Sequence, residues 1–259
     1  MSWPNGTPPA PDPLWDGVPT RVRGELVERA AAVRAGELEI SSARPSASVV
    51  LLRDGRSGVE VWMIRRASSM AFAAGAWAFP GGGVDPLDRD SERPDPLPGG
   101  ESDSTLRRCA LRELAEEAAV TSDAGDLVPW ARWVTPTAQP RRYDTWFFLV
   151  DANGLDPVNV STEADRAGWF DPATIADDPT ARLFPPTRVI LAELKAADSV
   201  AGLLAGGPRR PWPIRPRVDL STDTPRWVIE HAVGDLDAEP DTDDSGADDS
   251  DAADAQGDR

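Results

Sequence analysis

Three glutamates near the middle of the chain have the spacing of ligands on one face of a helix. Glu113 precedes Glu116 by three positions and Glu117 by four, and residues at these separations share a side of an α-helix. Carboxylates held close together repel one another, and a divalent cation that prefers oxygen ligands removes that repulsion. The spacing therefore predicts a Mg²⁺ or Mn²⁺ site, with Leu114 and Ala118 turned toward a core.

A glycine-rich segment, Phe79-Pro80-Gly81-Gly82-Gly83, stands upstream of these glutamates. Glycines let a backbone approach a ligand closely, with its amides and carbonyls exposed. The stretch 85–103 that follows is polar and interrupted by prolines and glycines, which predicts a loop. Thr105 is then in a position to cap the helix that carries the glutamates, which we expect to run to about Val120.

The elements that must hold these residues in place follow from hydrophobic periodicity and turn residues. Short runs rich in Val, Leu and Phe predict strands, and two of them, joined by a turn at 54–58, predict a β-hairpin. In chain order the predicted elements are a helix over 20–36, strands over 46–53, 59–65, 127–135, 143–151 and 167–170, a helix opening at Asp171-Pro172, a longer helix from 185 to about 204, and a last strand or extended arm within 207–234.

Charge and length set limits on the class of protein. The formal net charge is −17, and 11 acidic residues against one Arg fall in 235–259. A general nucleic-acid binder needs a basic face, so we expect no nucleic-acid partner. We predict a flexible segment over 1–17, one domain over 18–234 with its core at 46–205, and an acidic tail over 235–259.

Cysteine, histidine and hydropathy patterns point to a cytoplasmic protein without a membrane partner. Cys109 is the only cysteine, which rules out an internal disulfide and favours a reducing compartment. No run of about 18 apolar residues is present, and the N-terminus lacks the features of a signal peptide. His231 is the only histidine, which excludes zinc sites built on several histidines.

Taken together, these motifs resemble the signature of the Nudix hydrolases, G-x5-E-x7-R-E-U-x-E-E-x-G-U, where U is aliphatic. Leu114 and Val120 occupy its aliphatic positions, while Ser104 stands at the isolated Glu when counted back from the Arg, and Ala119 stands at the last Gly. The Gly-to-Arg separation is 30 positions rather than 14, which leaves 16 additional residues. The residues that match the remaining positions are Gly82, Arg112, Glu113, Glu116 and Glu117.

The interrupted signature is similar to that of the coenzyme A diphosphatase branch of the family. Arg66-Ala67, Gly75 and Phe79-Pro80-Gly81-Gly82 match that branch's pattern, whereas Ala71 replaces its second Arg and Ile64 its Thr. The resemblance implies an α/β fold, the Nudix α/β/α sandwich around a mixed sheet. It also implies hydrolysis of a nucleoside diphosphate-linked small molecule, with coenzyme A or acyl-CoA as first choice.

The resemblance assigns roles to single residues. Glu113 and Glu117 are expected as metal ligands, with Glu116 sharing the site and the Gly82 carbonyl contributing. Arg112 is expected to pair with neighbouring glutamates and hold their rotamers. The general base comes either from this helix or from a later loop, where Glu163 is the candidate.

Four arginines are candidates for binding the phosphates, since guanidinium groups bind them bidentately. An ordinary surface role is an equal alternative for each of Arg65, Arg66, Arg141 and Arg142. Tyr143, at the start of a strand, is expected in the core rather than as a platform for a base.

Two rival functions stay open from the sequence. One is the same chemistry on ADP-ribose or NADH, which Ala71 favours. The other is a non-catalytic Nudix module that senses a ligand, which Ser104 and Ala119 favour. The sequence leaves open whether the protein forms a homodimer.

Overall fold

The computed structural model describes residues 22, 24–70, 73–89, 102–206, 213–221 and 223–231. The predicted segment 1–17, the tail 235–259, most of the predicted loop 85–103 and Ala71 lie outside the described residues. Within them, no helix is both long enough and apolar enough to cross a membrane.

The described strands form one mixed sheet of ten strands in the order β10-β9-β5-β6-β1-β2-β3-β8, with β4 pairing with β1 and β7 with β2. β1 lies at its centre, parallel to β6 and antiparallel to β2 and β4. The predicted β1–β2 hairpin and the predicted strand Tyr143–Asp151 are confirmed. The strands are β1 (Arg44–Asp54), β2 (Val59–Arg66), β3 (Ala76–Ala78), β4 (Gly81–Gly83), β5 (Val128–Val134), β6 (Tyr143–Asp151), β7 (Ala164–Phe170), β8 (Arg182–Leu183), β9 (Pro213–Asp219) and β10 (Arg226–His231).

Helices cover both faces of this sheet, so the predicted α/β/α sandwich is confirmed. Alternate residues of a strand point to opposite faces, and β1 is apolar on both. Val49 packs in one core cluster with Leu114 of α2, and the next residue, Val50, packs in the other with Ile190 of α4. The helices are α1 (Gly24–Arg34), α2 (Asp103–Ala118), α3 (Pro172–Asp177), α4 (Pro185–Leu194) and α5 (Val200–Ala205).

The prediction of one long helix from 185 to about 204 was wrong, because the chain breaks between α4 and α5. The Ser199 hydroxyl accepts the Gly202 amide at 3.1 Å and starts a new helix. The break is fixed by the β1–β2 hairpin, since the Val200 amide donates to Asp54 Oδ1 at 2.8 Å and the Val59 amide donates to the Ala197 carbonyl at 3.3 Å. Tertiary hydrogen bonds thus override a continuous amphipathic pattern.

The strand β4 consists of three glycines, and nothing in their local propensity predicts a strand. It forms because it pairs antiparallel with β1, where Ser46 lies opposite Gly83 and Ser48 opposite Gly81. The Val49 amide donates to the Pro80 carbonyl at 2.8 Å, and the Val84 amide donates to the Pro45 carbonyl at 2.9 Å. This pairing fixes the glycine-rich segment beside α2.

Candidate functional site

Helix α2 has a defined start and end, and its buried residues fix which side faces the sheet. Ser102, rather than the predicted Thr105, caps it, because the Ser102 hydroxyl accepts the Thr105 amide at 3.1 Å. The helix ends at Ala119, which has a left-handed φ of 53°. Leu106, Ala110 and Leu114 face the sheet and are fully buried, which turns one edge of the helix toward β4.

Two of the three predicted carboxylates approach the glycine-rich strand. Glu117 is 5% exposed, and its Oε2 accepts the Gly81 amide at 2.8 Å. The Glu113 carboxyl lies directly over Gly82, since a Cβ built on that residue would stand 2.6 Å from Glu113 Cδ. Only a glycine therefore fits at position 82 while Glu113 keeps this position.

The electrostatics of this pair fit a bound cation. The pKa of Glu117 is raised to about 7, chiefly by burial and also by the charges of Glu113 and Glu163, while the Gly81 amide and the charge of Arg66 act to lower it. Burial also raises the pKa of Glu113, against its hydrogen bond from Arg112. Glu117 is buried and Glu113 is partly buried, and neighbouring carboxylates disfavour each other's ionised form. A divalent ion with oxygen ligands stabilises such an arrangement.

Glu116 lies farther out and shares Arg112 with Glu113. Arg112 Nη1 donates to Glu113 Oε1 at 2.8 Å and to Glu116 Oε2 at 3.2 Å, and the Glu116 side chain is 59% exposed. In the part of the chain that the structure describes, no three acidic, cysteine or histidine side chains converge as a ready-made metal cage. Glu113 and Glu117 are thus the pair in place, and Glu116 would join them by a change of rotamer.

The geometry favours the carbonyl of Gly81 over the predicted carbonyl of Gly82 as an added oxygen ligand. Backbone groups of alternate residues in an antiparallel pair point toward the partner strand and away from it. Pro80 and Val84 bond to β1, so Gly82 also faces β1, where its carbonyl accepts the Cys109 thiol at 3.6 Å. The Gly81 amide points away from β1, toward Glu117, and its carbonyl lies on that side.

Asp88 is the residue of this site that sequence reasoning missed. It is 3% exposed and accepts two hydrogen bonds from Arg112, at 3.1 Å from Nε and 2.9 Å from Nη2. Arg112 Nη2 also donates to the Gly83 carbonyl at 3.0 Å. Counted forward from Gly82, Asp88 is the sixth position, where the signature has its isolated Glu. The signal was present, but counting back from Arg112 led to Ser104 instead.

The structure brings Glu163 and Arg66 to this site. The Ala67 amide donates to the Glu163 carbonyl at 2.7 Å, which holds the turn before β7 against the end of β2. Glu163 Oε2 lies 4.0 Å from Arg66 Nη2, and the charges of both residues act on Glu117. The Glu163 side chain is 55% exposed and can reach solvent.

The other candidate arginines are not brought together with the carboxylates. Arg65 lies on the same face of β2 as the core residue Met63, which is opposite to the face of Arg66. Its Nε donates to Asp165 Oδ1 at 2.7 Å. Arg142 is 1% exposed and donates to the carbonyls of Thr135 at 3.0 Å and Ser41 at 2.7 Å. Phosphate binding by Arg142 is therefore corrected to a structural role.

A cleft of about 500 Å³ opens beside Glu113 at the end of the sheet where β1 and β6 begin. Tyr143 is half-buried and lines this cleft, so the expectation that it lies in the core is corrected; Arg141 is exposed just before it. A larger cavity, of about 700 Å³, lies at the turn between β1 and β2 and contains none of the predicted site residues. The lining of the cleft is Arg44, Pro45, Gly83, Val84, Asp85, Arg89, Arg112, Glu113 and Tyr143.

Comparison with known proteins shows which family the chain resembles. A protein of Caenorhabditis elegans named "Putative nudix hydrolase 7" is 25% identical over 187 residues, and the match spans 58% of this chain and 59% of that relative. A solved NUDIX hydrolase from Alicyclobacillus acidocaldarius is 27% identical with a TM-score of 0.55, over 65% of this chain and 97% of the other. The NUDIX domain of Shewanella oneidensis NrtR, solved with ADP ribose, is 16% identical with a TM-score of 0.45, over 62% of this chain and 96% of the other. The family model described as NUDIX domain matches residues 42–194, more than half of the sequence, and the chain therefore belongs to the NUDIX domain family.

Proposed function

We propose that the protein is a Mg²⁺- or Mn²⁺-dependent hydrolase that cleaves the diphosphate bond of a nucleoside diphosphate-linked substrate. The observation that carries this proposal is the pair formed by the partly buried Glu113 and the buried Glu117 against the Gly81–Gly82 backbone, with the pKa values of both carboxyls raised. A dense negative charge such as a diphosphate cannot approach this face unaided. A divalent ion allows the diphosphate to lie next to the glutamates, because it binds carboxylate and phosphate oxygens alike.

Each residue of the site has a part in this proposal. Glu113, Glu117 and the Gly81 carbonyl would hold the ion, and Glu116 would join them after a change of rotamer. When bound, the ion supplies neutralisation of the phosphate oxygens and a more acidic attacking water. Arg112, fixed by Asp88, keeps the Glu113 carboxyl in place.

Glu163 is proposed as the general base, which accepts the proton of the attacking water. Its exposed carboxyl lies 4.0 Å from Arg66 Nη2, and Arg66 is the guanidinium proposed to bind the departing phosphate. In Glu163→Gln, kcat is expected to fall by about 100-fold at pH 7.5 with little change in KM. Full kcat in this variant would move the base to the helix, with Glu116 as the next candidate.

Coenzyme A or an acyl-CoA is the proposed substrate, with ADP-ribose or NADH as the rival. The support for coenzyme A is the sequence pattern that includes Arg66-Ala67, Gly75 and the 16 additional residues between Gly82 and Arg112. The alternative of a non-catalytic sensor rested on two departures from the signature, Ser104 and Ala119. The first is weakened, because Asp88 provides an acidic residue at the position of the isolated Glu.

One assay tests these proposals together. The full-length protein with Mg²⁺ or Mn²⁺ is offered coenzyme A, acetyl-CoA, ADP-ribose and NADH, and the phosphate products are separated by chromatography. Glu117→Gln is expected to lose at least about 100-fold in kcat/KM, while the exposed control Glu37→Gln keeps wild-type activity. Equal turnover of all four substrates would refute the coenzyme A assignment. Binding without any turnover would favour the sensor.

A further inference from the structure

We infer that Asn159 is a positioning residue, one that holds the proposed general base Glu163 in place beside Glu117 and Arg66. This inference rests on the proposed function, in which Glu163 accepts the proton of the attacking water. Asn159 acts through the backbone that carries Glu163 and does not touch the substrate.

The segment 158–163, which leads into β7, is bonded at both ends to elements of the site. Its first amide, that of Val158, donates to the Ala118 carbonyl at 2.9 Å, next to the last predicted metal ligand on α2. Its last carbonyl, that of Glu163, accepts the Ala67 amide at 2.7 Å, just beyond the end of β2. The segment therefore connects the helix that carries the glutamates with the strand that carries the candidate arginine.

Asn159 fixes the backbone of this segment on both sides of the proposed base. Its Oδ1 accepts the Ser161 amide at 3.3 Å, and its Nδ2 donates to the Ala164 carbonyl at 3.1 Å. Ser161 Oγ in turn accepts the Glu163 amide at 3.1 Å. Asn159 and Ser161 are half-buried, whereas Glu163 is exposed. The polar network thus lies inward and presents the glutamate outward.

A short turn closed by an asparagine is ordinary loop chemistry, and the bond to Ser161 alone would mean no more than that. The bond to Ala164 differs, because it reaches past Glu163 to the first residue of β7. Ala164 pairs with Arg66, at the point where the register between β2 and β7 shifts. Side-chain bonds therefore hold the backbone here, where the regular ladder of the two strands begins.

The carboxyl of Glu163 has little else to hold it. Its Oε2 lies 4.0 Å from Arg66 Nη2, and its side chain is 55% exposed, so this ion pair contributes little to its position. A general base must lie within hydrogen-bond reach of the proton that it accepts. Since a displacement of about 1 Å lowers a rate by about 100-fold, the backbone bonds made by Asn159 matter for the rate.

Single variants in the full-length protein test this role. Asn159→Ala is expected to lower kcat by about tenfold at pH 7.5, with KM changed by less than about twofold. Asn159→Asp should not restore the rate, because a carboxylate cannot donate to the Ala164 carbonyl. Ser161→Ala should lower kcat in the same way, whereas Ser161→Thr keeps the hydroxyl and should stay within about threefold of the wild type.

Asn153→Ala is the matched control. The Asn153 side chain also accepts and donates, but its partner is Asp54 near the β1–β2 turn, with Oδ1 at 2.9 Å from the Asp54 amide and Nδ2 at 3.1 Å from Oδ2. Asn153→Ala should therefore keep the wild-type kcat and KM. An equal loss of kcat in Asn153→Ala and Asn159→Ala would assign both residues to general loop stability and would overturn the inference.

A double variant shows whether Asn159 acts through Glu163. Glu163→Gln is expected to lose about 100-fold in kcat, so an independent tenfold effect would bring the loss to about 1000-fold. Asn159→Ala combined with Glu163→Gln should instead lose only about 100-fold, because no base is left to position. A loss of about 1000-fold, or a raised KM with unchanged kcat in Asn159→Ala, would contradict positioning through Glu163.

Amide hydrogen exchange, followed by mass spectrometry, separates this inference from the proposed function. It reports the bond between the Ala67 amide and the Glu163 carbonyl without any turnover. Asn159→Ala should speed exchange in the peptide around Ala67 by about tenfold, and Asn153→Ala should leave it unchanged. Faster exchange together with full kcat in Glu163→Gln would reject the proposed base and keep the positioning of the segment. Unchanged exchange in Asn159→Ala would overturn the inference.

Discussion

Replacing Gly82 by alanine tests the central contact of the site, in which Glu113 lies over a residue without a side chain. An ideal Cβ would stand 2.6 Å from Glu113 Cδ and 2.9 Å from its Oε2. Carbon atoms in contact are normally about 3.5–4.0 Å apart, so the carboxyl has to move by about 1 Å. Gly82 has no positive φ, and the backbone itself therefore accepts alanine.

The displaced group is the end of a side chain, so the fold should survive. The expected loss is the hydrogen bond from Arg112 to Glu113, which is worth about 1 kcal/mol in unfolding free energy. Catalysis should suffer more, because a displacement of about 1 Å at a metal ligand lowers rates by about 100-fold. This corresponds to about 2.7 kcal/mol in the activation free energy.

The assay combines three measurements on Gly82→Ala and on its control Gly83→Ala. They are kcat/KM with Mg²⁺, the affinity for Mn²⁺ alone by calorimetry, and the urea midpoint. A Cβ on Gly83 meets nothing within 4 Å, so the control should match the wild type in all three. Gly82→Ala within about threefold of the wild type in both kcat/KM and Mn²⁺ affinity would refute the reasoning.

Other predictions concern the surroundings of this contact. Asp88→Asn should lower the unfolding free energy in urea by about 3 kcal/mol, because it leaves the partly buried Arg112 without its main partner. Burial raises the pKa of Glu117 to about 7 from 4.5, so protonation of this group stabilises the metal-free fold below pH 4.5. Up to about 3 kcal/mol of that stability should be lost as the pH rises through 7, and urea unfolding in EDTA should show no such loss in Glu117→Gln. Ala119→Gly should raise the unfolding free energy by about 1 kcal/mol, since Ala119 holds a φ of 53°. The buried Cys109 thiol, whose pKa is raised to about 12, should resist a thiol reagent at pH 8 until the protein is unfolded.

Control variants and contradicting outcomes can be stated for these predictions. Asp103→Asn removes a helical partner of Arg107 at the surface and should change stability by no more than about 0.5 kcal/mol. A similar loss in Asp103→Asn and Asp88→Asn would contradict the role given to Asp88. Labelling of Cys109 in the native protein at the rate seen in denaturant would contradict its burial.

Periodic signals in the sequence predicted several long elements of the fold, but not the break between α4 and α5. Helix α2 and the strand Tyr143–Asp151 carry their own hydrophobic patterns, whereas the sandwich arrangement was implied by the family resemblance. The strand Gly81–Gly83 was not, because three glycines have no pattern and the strand exists only through its pairing with β1. The same pairing alone makes the backbone groups of Gly82 point toward β1 and those of Gly81 point toward Glu117.

Side-chain partners that the sequence does not show account for two further errors. Arg142 looked like a ligand for phosphate, but it bonds to carbonyls 7 and 101 positions away. Asp88 was missed because the signature has a fixed spacing. It does not show whether the additional residues lie before or after the isolated acid. The contact between Asp88 and Arg112, 24 positions apart, settles that the acid stays with the glycines.

The pairing of Asp88 with Arg112 also bears on how the chain tolerates changes in length. Residues 89–101 stand between two segments that are each fixed by local hydrogen bonds. On one side Asp85 and Asp88 bond to each other, and on the other Ser102 caps helix α2. The entropy of closing a loop rises by only about 0.6 kcal/mol for each doubling of its length. An epitope tag or a small reporter domain grafted into this stretch should therefore leave the positions of Glu113 and Glu117 unchanged.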